Sequence, residues 1–390
     1  MTQTSTSLHW ITTLISHDTT SRNSNLELIE VIRQALVALD LDPVLVPNAD
    51  GTKANLFITI PAHDGSVAGG VMLAGHTDTV PVDGQEWSSD PFTAVIRGDR
   101  LYGRGAADMK AFSGVILGML PEFLGRHLTA PLHLAFTYDE EVGCHGAVTL
   151  LKELASRGIK PDVCFVGEPT SMRAVSAHKS SYLYRVTVTG LASHSSNTPN
   201  GVNAIEYASR AIAFIRQIAD EHRLHGPFDA SFEVPYTTAN VGVIDGGVAV
   251  NTVADRCVFE FEFRTIPGVD PAEVIKQIKA LILGDLRAAM RAENGAADIR
   301  FDAIGAVPSM SSVGAGAALR LAQTLTGSTA EDAVGYGTEA GLFQLAGIDT
   351  AVCGPGSIRQ GHTANEYVEL TQIRACEEFM LALAEHLSAD

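Results

Sequence analysis

Between residues 25 and 190 the apolar positions switch repeatedly between two spacings. "NLELIEVIRQALVAL" (25–39) places them three and four apart, which predicts an amphipathic helix. "ANLFITI" (54–60) and "GGVMLAGH" (69–76) are short apolar runs bounded by turn residues and predict strands. The alternation continues through "AFSGVILGMLPEFL" (helix), "LHLAFTY" (strand), "GAVTLLKELASRG" (helix with a glycine stop) and "PDVCFVGE" (strand). Strands alternating with helices predict a mixed, largely parallel sheet covered on both faces, a three-layer α/β domain. After residue 180 the texture changes. "YLYRVTVTG" alternates with period two and a long amphipathic helix, "NAIEYASRAIAFIRQIADE", follows. Then come two more strand patterns, "TANVGVIDG" and "RCVFEFEFRTIPG", and a helix, "PAEVIKQIKALILGDL". That order predicts a small α+β domain of ferredoxin-like type, residues 180–293, inserted between 1–179 and 294–390 of the larger one.

Length and charge narrow what this frame can carry. A chain of 390 residues is long for one core and fits two domains. The formal net charge of −18 argues against nucleic acid or an anionic membrane as the partner and leaves a small substrate open. No apolar run is long enough to span a bilayer. The stretch "MTQTSTSLHWITTLISHDTTS" has no basic n-region or apolar h-region, so no signal peptide is expected. The 5 cysteines are odd in number and form no CxxC pair, which fits a reducing cytoplasm.

Candidate chemistry sits where strands end. In open α/β sheets, ligands bind at the carboxyl ends of the strands. His76 and Asp78 follow "VMLAG", and Glu140 and Glu141 follow "LAFTY" and Asp139. Glu168 ends "VCFVGE", Asp108 ends "GRGAAD", and His362 lies in "GPGSIRQGHTANEY" after "TAVCG". Each has an ordinary reading alone: a turn histidine, a solvated acidic loop, an aspartate facing a helix dipole. Together they put four carboxylates in one cleft, where each raises the pKa of the others unless cations are bound. His76, Asp108, Glu141, Glu168 and His362 form a borderline-hard set suited to zinc, manganese or cobalt. Five ligands, one of them shared, predict two ions with an aspartate between them. Glu140, left over beside Glu141, is then a general base.

The motifs "GHTDTVPVDGQEWSSDPF", "LYGRGAADMK", "TYDEEVGCHGA", "FVGEPT" and "GHTANEYV" run in order through nearly the whole chain. They resemble the co-catalytic zinc amidohydrolases and peptidases. Within that family, "GEPTSM" and "GYGTEAGLF" most resemble acetylornithine deacetylase. The resemblance implies a zinc-peptidase-like catalytic domain and an inserted lid and dimerisation domain. It also implies two divalent ions per subunit, zinc with cobalt as a substitute. His76 and Glu168 would hold one ion, Glu141 and His362 the other, and Asp108 would bridge across a cis Asp108–Met109 peptide. Asp78 would accept the other N–H of His76 and orient it. His194, in "ASHSSNTPNGVNA", would reach the partner subunit's active site and steady an oxyanion, which requires a homodimer; its ordinary role is to cap the helix that this loop leads into. Asn251 and Arg264 match residues that bind the substrate carboxylate, a task for which the planar Arg fork is suited. Glu339, with Thr338 beside it in "GTEAG", is either a recogniser of a side-chain ammonium or a helix N-terminal acid. Two positions depart from the family: Ala111 and Ser180 stand where glycine is common.

The expected activity is hydrolysis of an N-acyl amino acid, N-acetyl-L-ornithine first, as a step of arginine biosynthesis. N-succinyl-diaminopimelate, N-acetylcitrulline and other family amides are the alternatives. Other classes fit less well. "GAGAAL" (314–319) lacks the third glycine and the downstream acid of a dinucleotide fingerprint, and no GxSxG elbow is present. An amidase built on Cys144 would survive chelators. A catalytically dead relative would have no reason to keep five ligands and Glu140.

Overall fold

The computed structural model describes residues 5–314, 316–329 and 331–388, so Ala315 of "GAGAAL" and residues 1–4 of the N-terminal stretch lie outside the described residues. The chain divides into two compact units, Met1–Ala177 with Met310–Ala333 and Thr338–Asp390, and His178–Ser309 with Val334–Gly337.

The first unit opens with α1 (Thr6–Ile15), where Ser5 Oγ accepts the Leu8 amide at 3.2 Å and caps the helix. α2 (Leu26–Val37) buries Leu28, Ile29, Ile32 and Leu36, the stripe that the sequence pattern marks. There follow β1 (Val44–Pro47), β2 (Ala54–Ile60), β3 (Val71–His76), β4 (Val95–Arg97), β5 (Arg100–Tyr102) and α3 (Lys110–Leu124). Next are β6 (Leu132–Thr137), α4 (His145–Arg157), β7 (Val163–Val166) and β8 (Val175–His178). β3, β6 and β7 are buried at every position, as strands covered on both faces must be.

The second unit holds β9 (Ser181–Thr189), α5 (Ala204–His225), β10 (Thr238–Gly246) and β11 (Arg256–Arg264). It continues through α6 (Pro271–Lys279), α7 (Arg287–Glu293) and β12 (Asp298–Val307). Asn203 caps α5 through the Ile205 and Glu206 amides, and Asp270 caps α6 ahead of Pro271. The strands form one antiparallel sheet in the order β10-β11-β9-β12. Its core joins Val186, Val188, Phe259 and Phe261 to Ala208, Ala211 and Ile215 of α5 and to Ile278 of α6. The sequence pattern ends the insertion at 293. β12 corrects this, because it pairs with β9 from Asp298↔Thr189 to Val307↔Ser181 and completes the small sheet. A strand's partner is chosen by the sheet that it joins, which its own alternation does not show.

The chain returns to the first unit with α8 (Gly316–Thr326), β13 (Asp332–Val334), α9 (Ala340–Leu345), β14 (Asp349–Val352), β15 (Tyr367–Glu369) and α10 (Leu370–His386). Its main sheet runs β1-β2-β6-β3-β7-β14-β8-β13, and a small one runs β15-β5-β4. In the main sheet β6, β3, β7 and β14 are mutually parallel, while β1/β2, β2/β6 and β14/β8 are antiparallel. Leu56, Ile58, Leu73, Leu134 and Phe165 join one core with α1, α2, α3, α8 and α10. α4 and α9 pack on β2, β6, β7 and β14 outside that core, giving the expected three layers. Among the described residues no helix is long and apolar enough to cross a membrane.

Candidate metal centre

The four parallel strands end at one edge of the sheet, and their last residues carry the acids and histidines forward. His76 is the final residue of β3 and pairs in register with Thr137, the last of β6. Glu140 and Glu141 follow β6, and Glu168 lies two residues past Val166 of β7. His362 sits in the loop after β14 with a left-handed φ of 59°, and Asp108 precedes α3 across a cis Asp108–Met109 peptide. Close backbone approach fixes Glu168: a Cβ on Gly354 would lie 2.0 Å from the Gly167 carbonyl oxygen.

Two groups result, each able to hold a metal ion: His76, Asp108 and Glu168, and Asp108, Glu141 and His362. His76 Nε2 lies 3.0 Å from Asp108 Oδ1 and 3.6 Å from Glu168 Oε1. His362 Nε2 lies 3.1 Å from Asp108 Oδ2 and 3.0 Å from Glu141 Oε2. Asp108 therefore turns one oxygen to each histidine. Glu140 belongs to neither group; its Oε1 meets the Cys144 thiol at 3.5 Å.

The electrostatics are those of a crowded acidic site. Burial, then the charges of Asp108 and Glu140, hold the Glu168 pKa well above the usual carboxylate range. Burial and the neighbouring Asp108 raise Glu141 to about 7. Glu140 is raised strongly, by burial first and by Glu141, Asp108 and Asp78 as like charges. Asp108 goes the other way: burial opposes ionisation, but His362 and His76 outweigh it and lower its pKa. Asp108 and Glu141 in turn raise His362 to about 10. Glu168 Oε1 is buried without a hydrogen-bond partner among the described residues.

Asp78 faces His76 and also ties down the turn that follows β6. His76 Nδ1 lies 3.0 Å from the Asp78 backbone carbonyl oxygen and 3.5 Å from its carboxylate. The carboxylate accepts Ser21 Oγ at 2.7 Å and the amides of Glu140 and Glu141 at 3.0 and 3.3 Å. The carboxylate of Asp139 pairs with Lys53 instead of joining either group.

Thr338 and Glu339 are both completely buried, and Glu339 stands immediately before α9, the helix N-terminal position. Thr338 Oγ1 accepts the Ala340 amide at 3.1 Å at the start of α9, and Glu339 Oε2 accepts Thr137 Oγ1 at 2.8 Å. Burial raises the Glu339 carboxyl to about 7.

Three expected residues lie in the second unit. His194 is exposed; its Nδ1 accepts the Ser196 amide at 3.2 Å and caps the short turn Ser195–Asn200, whereas the long helix after the loop, α5, is capped by Asn203 instead. Asn251 is exposed and its carbonyl accepts the Ser195 amide at 3.0 Å, so the structure brings these two segments together. Arg264 ends β11 and pairs with Glu262 at 3.0 Å. Ser180 accepts the Thr265 amide at 2.8 Å through its hydroxyl, and Ala111 packs without exposure in α3. Sequence reasoning passed over Arg104 and Glu366, a buried ion pair at 2.7 Å. Their signal was a charged residue inside each of two quoted motifs, "LYGRGAADMK" and "GHTANEYV".

The sequence model of Peptidase family M20/M25/M40 matches residues 72–386. Acetylornithine deacetylase of Edwardsiella ictaluri (strain 93-146) is 36% identical over 346 residues, 87% of this chain and 85% of that one. Acetylornithine deacetylase of Pasteurella multocida (strain Pm70) is 33% identical over 95% of this chain and 94% of that one. A tripeptidase from Staphylococcus aureus subsp. aureus Mu50 shares the fold, with a TM-score of 0.75 at 21% identity over 99% of this chain and 98% of that one. The chain belongs to Peptidase family M20/M25/M40 and is a hydrolase of that family.

Proposed function

We propose that the chain hydrolyses the amide bond of an N-acyl amino acid with the help of two divalent ions, and that N-acetyl-L-ornithine is its substrate. The observation that carries this reading is the double role of Asp108, whose two oxygens belong to two separate three-residue groups. The donor set fits cations on its own chemistry. Two histidines and three carboxylates suit zinc, with cobalt as a substitute. The buried, unpartnered Glu168 oxygen and the raised acids describe a site that lacks positive charge. His76, Asp108 and Glu168 would hold one ion, and Asp108, Glu141 and His362 the other. When bound, the ions would acidify water and polarise the acyl carbonyl.

The chain's own residues supply the rest. Glu140 would take a proton from the attacking water and pass it to the amine nitrogen as the carbon–nitrogen bond breaks, leaving acetate and L-ornithine. Asp78 holds the Glu140 and Glu141 amides and so fixes the base and a ligand together. His194 would steady the tetrahedral oxyanion of a partner subunit, and Asn251 and Arg264 would bind the substrate carboxylate. A homodimer through the second unit is supported by β10, an edge strand on which Val243 and Ile244 are 54% and 58% exposed. Five buried, unpaired cysteines support a reducing, cytoplasmic setting.

The two relatives named acetylornithine deacetylase support the acyl group and the amino acid. The test compares kcat/KM for N-acetyl-ornithine, N-acetyl-citrulline and N-succinyl-diaminopimelate, with and without added zinc or cobalt. N-acetyl-ornithine should lead and chelator should abolish turnover; a preference for either rival overturns the substrate.

A further inference from the structure

We propose that Arg104, Glu366 and Gln85 are positioning residues that set the affinity of the Asp108–Glu141–His362 group for its ion. The inference rests on the two-ion reading above.

Glu366 is 1% exposed, and its carboxylate accepts four N–H donors from the segment that carries Asp108. These are Arg104 Nη1 at 2.7 Å, Gly105 N at 3.1 Å, Ala107 N at 2.8 Å and Asp108 N at 3.0 Å. Its backbone carbonyl accepts the Gly103 amide at 3.0 Å. A carboxylate has four lone-pair positions and no donor, so this set of partners matches its capacity. Glutamine would turn an NH2 group toward donors that it cannot satisfy.

The same network reaches the His362 loop. Glu366 lies four residues beyond His362 in the chain. Arg104 Nη2 donates to Gln85 Oε1 at 2.5 Å, and Gln85 Nε2 donates to the His362 carbonyl at 2.9 Å. Beside them Asn365 Oδ1 accepts the Ser88 amide at 2.8 Å. The loop bearing the shared aspartate and the loop bearing the second histidine are thus tied through one arginine.

The two groups differ in their need for this tie. His76 is the buried last residue of a central strand, and Glu168 follows the end of the neighbouring one. His362 has a side chain 49% exposed and stands on a loop with a left-handed backbone, so nothing in the sheet fixes it against Asp108. Partners that orient ligands typically change metal affinity by about 10–100-fold when removed.

The test titrates the metal-free full-length chain with zinc by calorimetry and with cobalt by its visible absorption. Two ions should bind the unmodified chain; fewer than two overturns the two-ion reading, and this inference with it. In Gln85→Ala, which leaves no buried charge unpaired, one of the two ions should lose on the order of tenfold or more in affinity, while the other changes less than about threefold. Glu366→Gln should do the same more strongly, provided its metal-free melting shows a folded chain. Two ions bound by Gln85→Ala within about threefold of the unmodified affinities, or an equal loss at both, overturns the network's role and leaves the two-ion reading standing.

Discussion

Asp78 Oδ1 accepts the backbone amide of Glu140 at 3.0 Å. Its Oδ2 lies 3.3 Å from the next amide, that of Glu141, and 2.7 Å from Ser21 Oγ. The aspartate two residues past His76 thus anchors the turn that presents a base and a metal-ligating acid side by side. Asp78→Asn keeps the shape but offers an NH2 to one set of those donors. The expected outcome is a fall in kcat of about 10–100-fold with KM within about threefold and both ions retained. Steady-state kinetics with metal analysis checks it, and an unchanged kcat would show that the charge there is not needed.

Glu140 contacts the Cys144 thiol and belongs to neither metal group. Glu140→Ala should therefore keep the full complement of ions, while turnover falls by about 10²–10⁴-fold, the usual contribution of a positioned proton-transfer group. Near-normal kcat in a fully loaded variant would refute its role as base.

Much of this site is legible in the sequence because its parts stand at strand ends. Buried apolar runs such as "GGVMLAGH" and "VCFVGE" show where strands stop, and the polar residue at each stop is conspicuous against them. What is not legible is the use of each oxygen. Asp78 reads as a partner for His76, and besides facing that histidine at 3.5 Å its carboxylate receives Ser21 and the Glu140–Glu141 amides, which folding brings from other elements. Glu339 reads either as a recogniser of an ammonium or as a helix N-terminal acid, and only folding shows that it stands immediately before α9, under Thr137 and with no accessible surface. β12 alternates well enough to be a strand, but its membership of the small sheet is set by the register with β9.

Removing the ions should destabilise the first unit, since Glu168 then keeps a buried oxygen without a partner and Glu141 stays beside Asp108. A ligand bound only by the folded chain, present at 100 times its dissociation constant, adds about 2.7 kcal/mol per site. Chelator-treated protein should melt several degrees below the same protein reloaded with zinc, with recovery on readdition. Identical melting curves at saturating zinc would contradict binding at these residues.

Glu339 gives a pH dependence with a definite sign. Its carboxyl is pushed from 4.5 to about 7 by burial, and among the described residues Thr137 provides its one hydrogen bond. The folded chain therefore holds this proton more tightly than the unfolded chain does. Stability contributed by the neutral acid is fully present below about pH 4.5, and it declines as pH rises through the window up to about 7. A shift of that size corresponds to on the order of 3 kcal/mol lost by neutral pH. Glu339→Gln carries no titrating proton and can still accept from Thr137. Its melting temperature, relative to the unmodified chain, should rise from pH 5 to about pH 7 and then level off towards pH 8 when both are measured free of metal. A difference that stays flat across that range, or that falls, would show that the buried acid is already ionised at pH 5.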